Sequence, residues 1–143
     1  MAARSQEETP LIIAVLAVLA VLDASAVLAV YFDEPGADQV QAALPGSLLS
    51  AVNYTEVVGK CLDRGEALDV ALRKLMAMGF HVVPHDARLA RRAGEMQPLT
   101  RRLGMSLADR ACLALAECEG LPAITADQKW ATVDLGIEIR VVR

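Results

Sequence analysis

Val18-Leu19-Ala20-Val21-Leu22-Asp23-Ala24-Ser25-Ala26-Val27-Leu28-Ala29-Val30-Tyr31-Phe32 divides at a single acid. Val18–Leu22 is apolar throughout, as a strand covered on both faces must be, and predicts the first, central strand of a parallel sheet. Ala24–Phe32 predicts a short helix, stopped by Asp33-Glu34-Pro35-Gly36. Asp23 therefore stands at the rim of the core, where strand hands over to helix. In an open parallel sheet, the loops after strands and the helix starts they feed share one edge, and ligands bind there.

The same alternation continues along the chain. Ala37–Ala43 predicts a second helix, Leu48-Leu49 a short strand, and Asn53–Asp63 and Glu66–Met78 two more helices, the latter closed by Gly79. Phe80–Val83 predicts a strand stopped by Pro84, and Asp86 caps a helix running to about Ala93. A further turn starts at Pro98 and ends at Gly104. Ser106–Glu119 is the clearest helix, and Ala123-Ile124-Thr125 and Ile137–Val142 complete the strands. Short apolar strands alternating with helices predict a three-layer α/β/α fold around a central parallel sheet.

Three more acids occupy boundaries of this pattern: Glu56, Asp109 and Asp127. Each has a structural use. Asp23 can cap the helix after it, Asn53-x-x-Glu56 and Ser106-x-x-Asp109 fit capping boxes, and Asp127 can cap a turn. Glu56 also stands four residues before Lys60, an i,i+4 pair worth ~0.2–0.5 kcal/mol. Two features go beyond capping. Asp109 shares a helical face with Cys112, Leu113 and Ala116, and no cation lies on that stripe. Asp23 follows a strand with no polar residue in it. If all four carboxylates meet at one sheet edge, each pair near 5 Å repels by roughly 3 kcal/mol at an effective dielectric of 20. Such a cluster must protonate or bind cations, and hard oxygen donors without His or Cys select Mg²⁺ or Mn²⁺. His81 and His85 are separated by strand and Pro84 and predict no zinc site.

Bulk properties narrow the classes. At 143 residues the chain is long enough for one well-buried domain, and 55% hydrophobic with 3% aromatic residues predicts an aliphatic core. A net charge of −4 excludes coating of nucleic acid by bulk attraction, although bound cations would invert the local field at an acidic site. Cys61, Cys112 and Cys118 lack paired spacing and predict buried free thiols in a reducing cytoplasmic setting. The apolar run Leu11–Leu22 follows two acids and one arginine, unlike a signal peptide. Extending it to spanning length would put Asp23 at mid-membrane, at a cost of about 2.5–3.5 kcal/mol. The expectation is therefore no membrane partner. Residues 1–17 form an N-terminal extension, either a helical arm or a misassigned start, and the domain spans 18–143.

Val21-Leu22-Asp23-Ala24-Ser25-Ala26, Glu56, Leu107-Ala108-Asp109-Arg110-Ala111-Cys112-Leu113-Ala114-Leu115-Ala116 and Thr125-Ala126-Asp127-Gln128-Lys129-Trp130 together resemble the PIN-domain nucleases. The similarity is greatest to the VapC branch, ribonuclease toxins of type II toxin–antitoxin systems, and it covers Val18 to Arg143. The resemblance implies an acidic, metal-binding catalytic quartet of Asp23, Glu56, Asp109 and Asp127, supported by the hydroxyls of Ser25 and Thr125. Trp130 matches an aromatic of the branch's motif, with packing as its structural use. The resemblance further implies Mg²⁺-dependent hydrolysis of RNA by water, with 5′-phosphate products, and restraint by a cognate antitoxin protein.

Arg88, Arg91, Arg92, Arg101 and Arg102 could track RNA phosphates or form a solvated helical face. The apolar residues between Ala37 and Met78 (Val40, Val57, Val58, Leu62, Leu68, Val70, Leu72, Leu75 and Met76) exceed what one sheet face needs, and predict a homodimer and partner groove. Two other readings fit parts of the pattern. One is a PIN nuclease of RNA processing or DNA repair. The other is a non-catalytic signalling or interaction module with an acidic pocket.

Overall fold

The computed structural model describes residues 19–143. Val18, expected in the first strand, and the extension 1–17 lie outside the described residues. A five-stranded, all-parallel sheet comprises β1 (Val21–Leu22), β2 (Leu48–Ser50), β3 (His81–Val83), β4 (Ala123–Thr125) and β5 (Ile139–Val141). Seven helices flank it: α1 (Ala24–Tyr31), α2 (Ala37–Ala43), α3 (Ala51–Asp63), α4 (Leu68–Ala77), α5 (Ala87–Glu95), α6 (Gln97–Thr100) and α7 (Leu107–Glu119). Two 3₁₀ turns, Arg101–Leu103 and Gln128–Thr132, complete the described elements.

The strand order is β3-β2-β1-β4-β5, with Val21 opposite Leu48 and Ala123, and Leu22 opposite Leu49 and Ile124. Alternate strand residues point to opposite faces of a sheet, so one register serves two cores. Leu22, Leu49 and Ile124 pack with Val27, Val40, Val57 and Leu75 from α1–α4. Val21 and Ala123 pack with Leu89, Met96, Leu113 and Trp130 on the other face, beneath α5 and α7. The three-layer α/β/α architecture follows directly. β1 is covered on both faces, which is why its sequence shows no alternation of polar and apolar residues. Trp130 is completely buried in the second core, the packing role its position allows.

Element boundaries differ from expectation in informative ways. Helix α3 begins at Ala51, not Asn53, because the hydroxyl of Ser50 accepts the Val52 N–H and caps it. The Asn53–Glu56 capping box is therefore absent, and Glu56 sits inside the helix. Helix α5 runs to Glu95, beyond Ala93, and α4 starts at Leu68 after an extended Ala67. Cys61 and Cys112 are buried free thiols, but Cys118 is exposed in the last turn of α7, where Arg88 Nη2 donates to its Sγ at 2.9 Å. Among the apolar residues from 37 to 78, Val40, Val57 and Leu75 enter the core. Leu62, Leu68 and Met76 stay exposed, Met76 at 81%. No helix among the described residues is long and apolar enough to cross a membrane.

Candidate active site

The chain builds the sheet outward from β1 in two directions: through β2 to β3, then back to β4 and β5. Where strand order reverses, between β1 and β4, the connections leave on opposite sides and open a crevice beyond the strand ends. Asp23 follows β1 at this point, Thr125 ends β4, and Asp127 comes two residues later.

Asp23 is 3% exposed and densely bonded. As N-cap of α1, its Oδ1 accepts the Ala26 N–H at 2.9 Å. The Ser25 hydroxyl donates to Oδ1 at 2.7 Å, with 2.9 Å to Oδ2, and Thr125 Oγ1 donates to Oδ2 at 2.6 Å. The two hydroxyls are themselves aimed: Ser25 Oγ accepts the Ala126 N–H at 2.9 Å, and Thr125 Oγ1 accepts the Asp127 N–H at 3.0 Å. Each hydroxyl's single proton is thus left for Asp23. Burial nevertheless dominates, and it pushes the Asp23 carboxyl up to about 6; bonds from Thr125, Ala26 and Ser25 work against this rise, and the nearby Asp109 adds to it.

Asp109 arrives from α7 in a reciprocal capping box. Its Oδ2 accepts the Ser106 N–H at 2.9 Å while Ser106 Oγ accepts the Asp109 N–H at 3.0 Å. Its side chain is 15% exposed, and Lys129 supplies the cation missing from its own helical stripe. Lys129 Nζ lies 3.4 Å from Asp109 Oδ2 and 3.5 Å from Asp127 Oδ2. Burial works against the Lys129 charge, yet the Asp109 and Asp127 carboxylates hold it above its ordinary range. Glu56, on α3, is raised by partial burial first and by Asp109 second, with Lys60 opposing. Cys112 is raised well above the thiol range, first by complete burial and then by Asp23 and Asp109.

Asp109 is therefore the electrostatic centre of the group, acting on Asp23, Glu56 and Lys129. An all-oxygen donor set with a cation already drawn to two of its carboxylates suits a hard divalent ion. In the present arrangement, however, no three His, Cys, Asp or Glu side chains among the described residues stand close enough to hold a metal. Ser106 N–H and Lys129 Nζ both approach Oδ2 of Asp109, and Oδ1 accepts no hydrogen bond among the described residues.

Two residues outside the site predicted from sequence enter it in the structure. Lys129 lies two residues past Asp127, and the 3₁₀ turn folds it back over both acids. Asn53 is 1% exposed, and its Nδ2 donates to the Ala108 carbonyl at 3.2 Å, bracing α3 against the first turn of α7. A polar residue in the core face of a helix, one turn before an acid, is the signal for it. The arginines divide. Arg92 makes a two-toothed pair with Glu117 at 2.7 and 2.9 Å, and Arg91 pairs with Glu95 at 3.2 Å. Arg88 contacts Cys118, so this trio flanks the far end of α7, roughly 12 Å along the helix from Asp109 at 1.5 Å per residue. Arg101 and Arg102 belong to the turn ending at Gly104, whose carbonyl accepts from Lys129 Nζ at 3.4 Å.

A groove of about 500 Å³ opens next to Glu56 between the first turns of α3 and α7, lined by Val52, Thr55, Glu56, Ser106 and Leu107 among others. Its walls are mainly apolar and its floor reaches Ala108, the neighbour of Asp109.

Comparison with known proteins bears on the family and the fold. The PIN domain profile matches residues 20–135. No curated protein sequence matches the chain. Among solved structures, the DNA-bound VapBC of Salmonella typhimurium is 16% identical, with a TM-score of 0.66 over 87% of this chain and 99% of that one. VapBC2 of Rickettsia felis, bound to a promoter DNA fragment, is 12% identical with a TM-score of 0.67 over 87% and 99%. A sarcin–ricin loop cleaving VapC toxin of Mycobacterium tuberculosis is 16% identical with a TM-score of 0.58 over 82% and 98%. At these identities the likeness establishes a shared fold, and the structural neighbours are VapC toxins of toxin–antitoxin systems.

Proposed function

The chain belongs to the PIN domain family, and we propose that it is the toxin of a type II toxin–antitoxin pair, a Mg²⁺-dependent endoribonuclease. The observation that carries this reading is the crevice between β1 and β4. There Asp23 is fixed by Ser25, Thr125 and Ala26, and Asp109 acts on it from α7. A capping aspartate needs one N–H partner. Two hydroxyls held by backbone N–H groups are an investment in its orientation.

Asp23 and Asp109, with Glu56 and Asp127, would hold Mg²⁺ or Mn²⁺. When bound, the ion acidifies a water and draws charge from the phosphate under attack. The protein's own groups do the rest. Ser25 and Thr125 keep Asp23 in one orientation. Glu56, whose carboxyl burial and Asp109 raise in the absence of an ion, brings the acid of α3 toward the same group. Lys129 offsets the charge of Asp109 and Asp127. Water as nucleophile leaves the RNA 2′-OH unused and yields 5′-phosphate products. The solved relatives assemble as VapBC complexes, and one cleaves the sarcin–ricin loop; these properties support an RNA substrate and an antitoxin partner here.

The exposed Leu62, Leu68 and Met76, with a small apolar cleft of Tyr54, Leu75, Phe80 and Val82 beside Met76, support a homodimer or antitoxin-binding face. The test is cleavage of RNA by purified protein. Activity should disappear with EDTA and in Asp23→Asn and Asp109→Asn, with circular dichroism unchanged. Full activity in either variant would remove the catalytic assignment. Expression should arrest growth, relieved by co-expression of the adjacent reading frame.

A further inference from the structure

We propose that the cavity between α1 and the second half of α3 is a subsite for a phosphodiester of a nucleic-acid strand, adjoining the acidic crevice but separate from it. The assignment rests on the nuclease reading above and adds to it where the strand's neighbouring phosphate is held. The cavity measures about 230 Å³, and its wall includes Ser25, Phe32, Glu34, Lys60, Arg64 and Arg143. Three cations, two from the end of α3 and one from the C-terminal residue 143, meet one acid there, on a protein whose net charge is −4. Glu34 approaches only Arg143, at 3.9 Å. Lys60 and Arg64 have no carboxylate within ion-pair distance among the described residues.

Favourable interaction with the C-terminal end of α3 explains a cation at this helix end. It does not explain a cavity that collects Arg143 as well and has Ser25 in its wall. Ser25 is the link to the crevice, since its hydroxyl donates to Asp23 at 2.7 Å. Lys60 shares the α3 face of Glu56 at i,i+4. A strand whose scissile phosphate lies over Asp23 and Asp109 can therefore continue past Ser25 into this cavity. The Arg64 guanidinium lies over the Phe32 ring, 4.4 Å from its centre. Stacking fixes the plane of the fork and leaves its N–H edge available to anionic oxygens, while Lys60 contributes a mobile point charge.

The experiment uses the full chain carrying Asp109→Asn, so that a single-stranded RNA oligonucleotide is bound but not cut. Lys60→Met and Arg64→Gln are each added to it. Each should weaken binding about threefold, and lower the slope of log affinity against log salt by about 0.7, the value for one lost phosphate contact on a single strand. Methylphosphonate substitution at successive linkages should weaken the parent at one position beside the scissile linkage, with both variants insensitive there. In the otherwise wild-type chain, the same substitutions should raise KM several-fold more than they lower kcat. Unchanged salt slope and KM in both variants would overturn the subsite. So would unaltered RNA binding with weakened binding of an acidic peptide, which would assign the cavity to a protein partner. Salt-dependent binding that follows the variants, without any cleavage by wild type, would support the subsite and remove the nuclease reading alone.

Discussion

Asp23 carries a conflict that ordinary capping aspartates avoid. It is the terminus of a hydroxyl relay built for a carboxylate, yet burial pushes its carboxyl from 3.8 to about 6. A folded-state value above the unfolded one means that the folded chain binds this proton more tightly. Its contribution to stability is fully present below about pH 4 and is lost as pH rises through about 6, an effect on the order of 3 kcal/mol. Thermal melts in EDTA should therefore show the Asp23-dependent part of stability falling between pH 4 and 7, with Asp23→Asn lacking that slope. Parallel curves for the two proteins would contradict the burial account. Lys129 makes the opposite adjustment, placing one ammonium within 3.5 Å of two carboxylates. Lys129→Met should destabilise the metal-free protein by no more than about 1 kcal/mol, the scale for a partly exposed pair, and lower its melting temperature accordingly. It should also enlarge the shift produced by Mg²⁺, because the ion no longer competes with the ammonium; an unchanged shift would show that Lys129 does not compete.

Helices α3 and α7 carry one acid of the candidate site each and are braced by Asn53. The buried Nδ2 bond to Ala108 ties the turn before Glu56 to the residue before Asp109. Asn53→Ala should cost about 0.5–1.5 kcal/mol, the net worth of one hydrogen bond, since the Ala108 carbonyl also lies within α7 and the unpartnered Asn53 Oδ1 is removed with the bond, and should reduce cleavage without touching an acid. Urea denaturation and single-turnover rates measure the two effects separately. Helix α7 was readable from sequence because Ser106, Asp109 and Gly120 mark its ends and its body is apolar. The start of α3 was not, since Ser50 caps it from within the strand end and Asn53 imitates a cap. Local chemistry offered two N-caps, and packing against Ala108 selected between them.

Across the whole molecule, the order β3-β2-β1-β4-β5 brings residues 23, 56, 109 and 127 to one edge. Mutual repulsion there should make the wild-type fold respond to divalent ions. Mg²⁺ should raise the melting temperature of wild type more than that of Asp109→Asn, by mass action on the folded state. Equal shifts would mean that the four acids act as scattered caps. The exposed Leu62, Leu68 and Met76 carry the matching expectation for assembly: light scattering at micromolar concentration should report a dimer, and Met76→Lys should shift it toward monomer.

The fold class and the place of Asp23 at the end of β1 were legible in the sequence, because both are written locally. An apolar strand without alternation must be covered on two faces, and an acid at its end must lie at the rim. Partnership was not legible. Lys129 reaches Asp109 only because the turn after Asp127 folds back. Ser25 meets Thr125 at 3.2 Å across a separation of 100 residues because β1 and β4 are neighbours in the sheet. Arg88, Arg91 and Arg92 cluster with the other arginines in sequence, but α5 carries them to the far end of α7, where Arg88 and Arg92 contact Cys118 and Glu117 while Arg91 pairs with Glu95 of α5. Arg143, distant in sequence from Lys60 and Arg64, shares one cavity with them. Periodicity reports which face of an element is buried, whereas strand order and helix packing decide which charges meet across it.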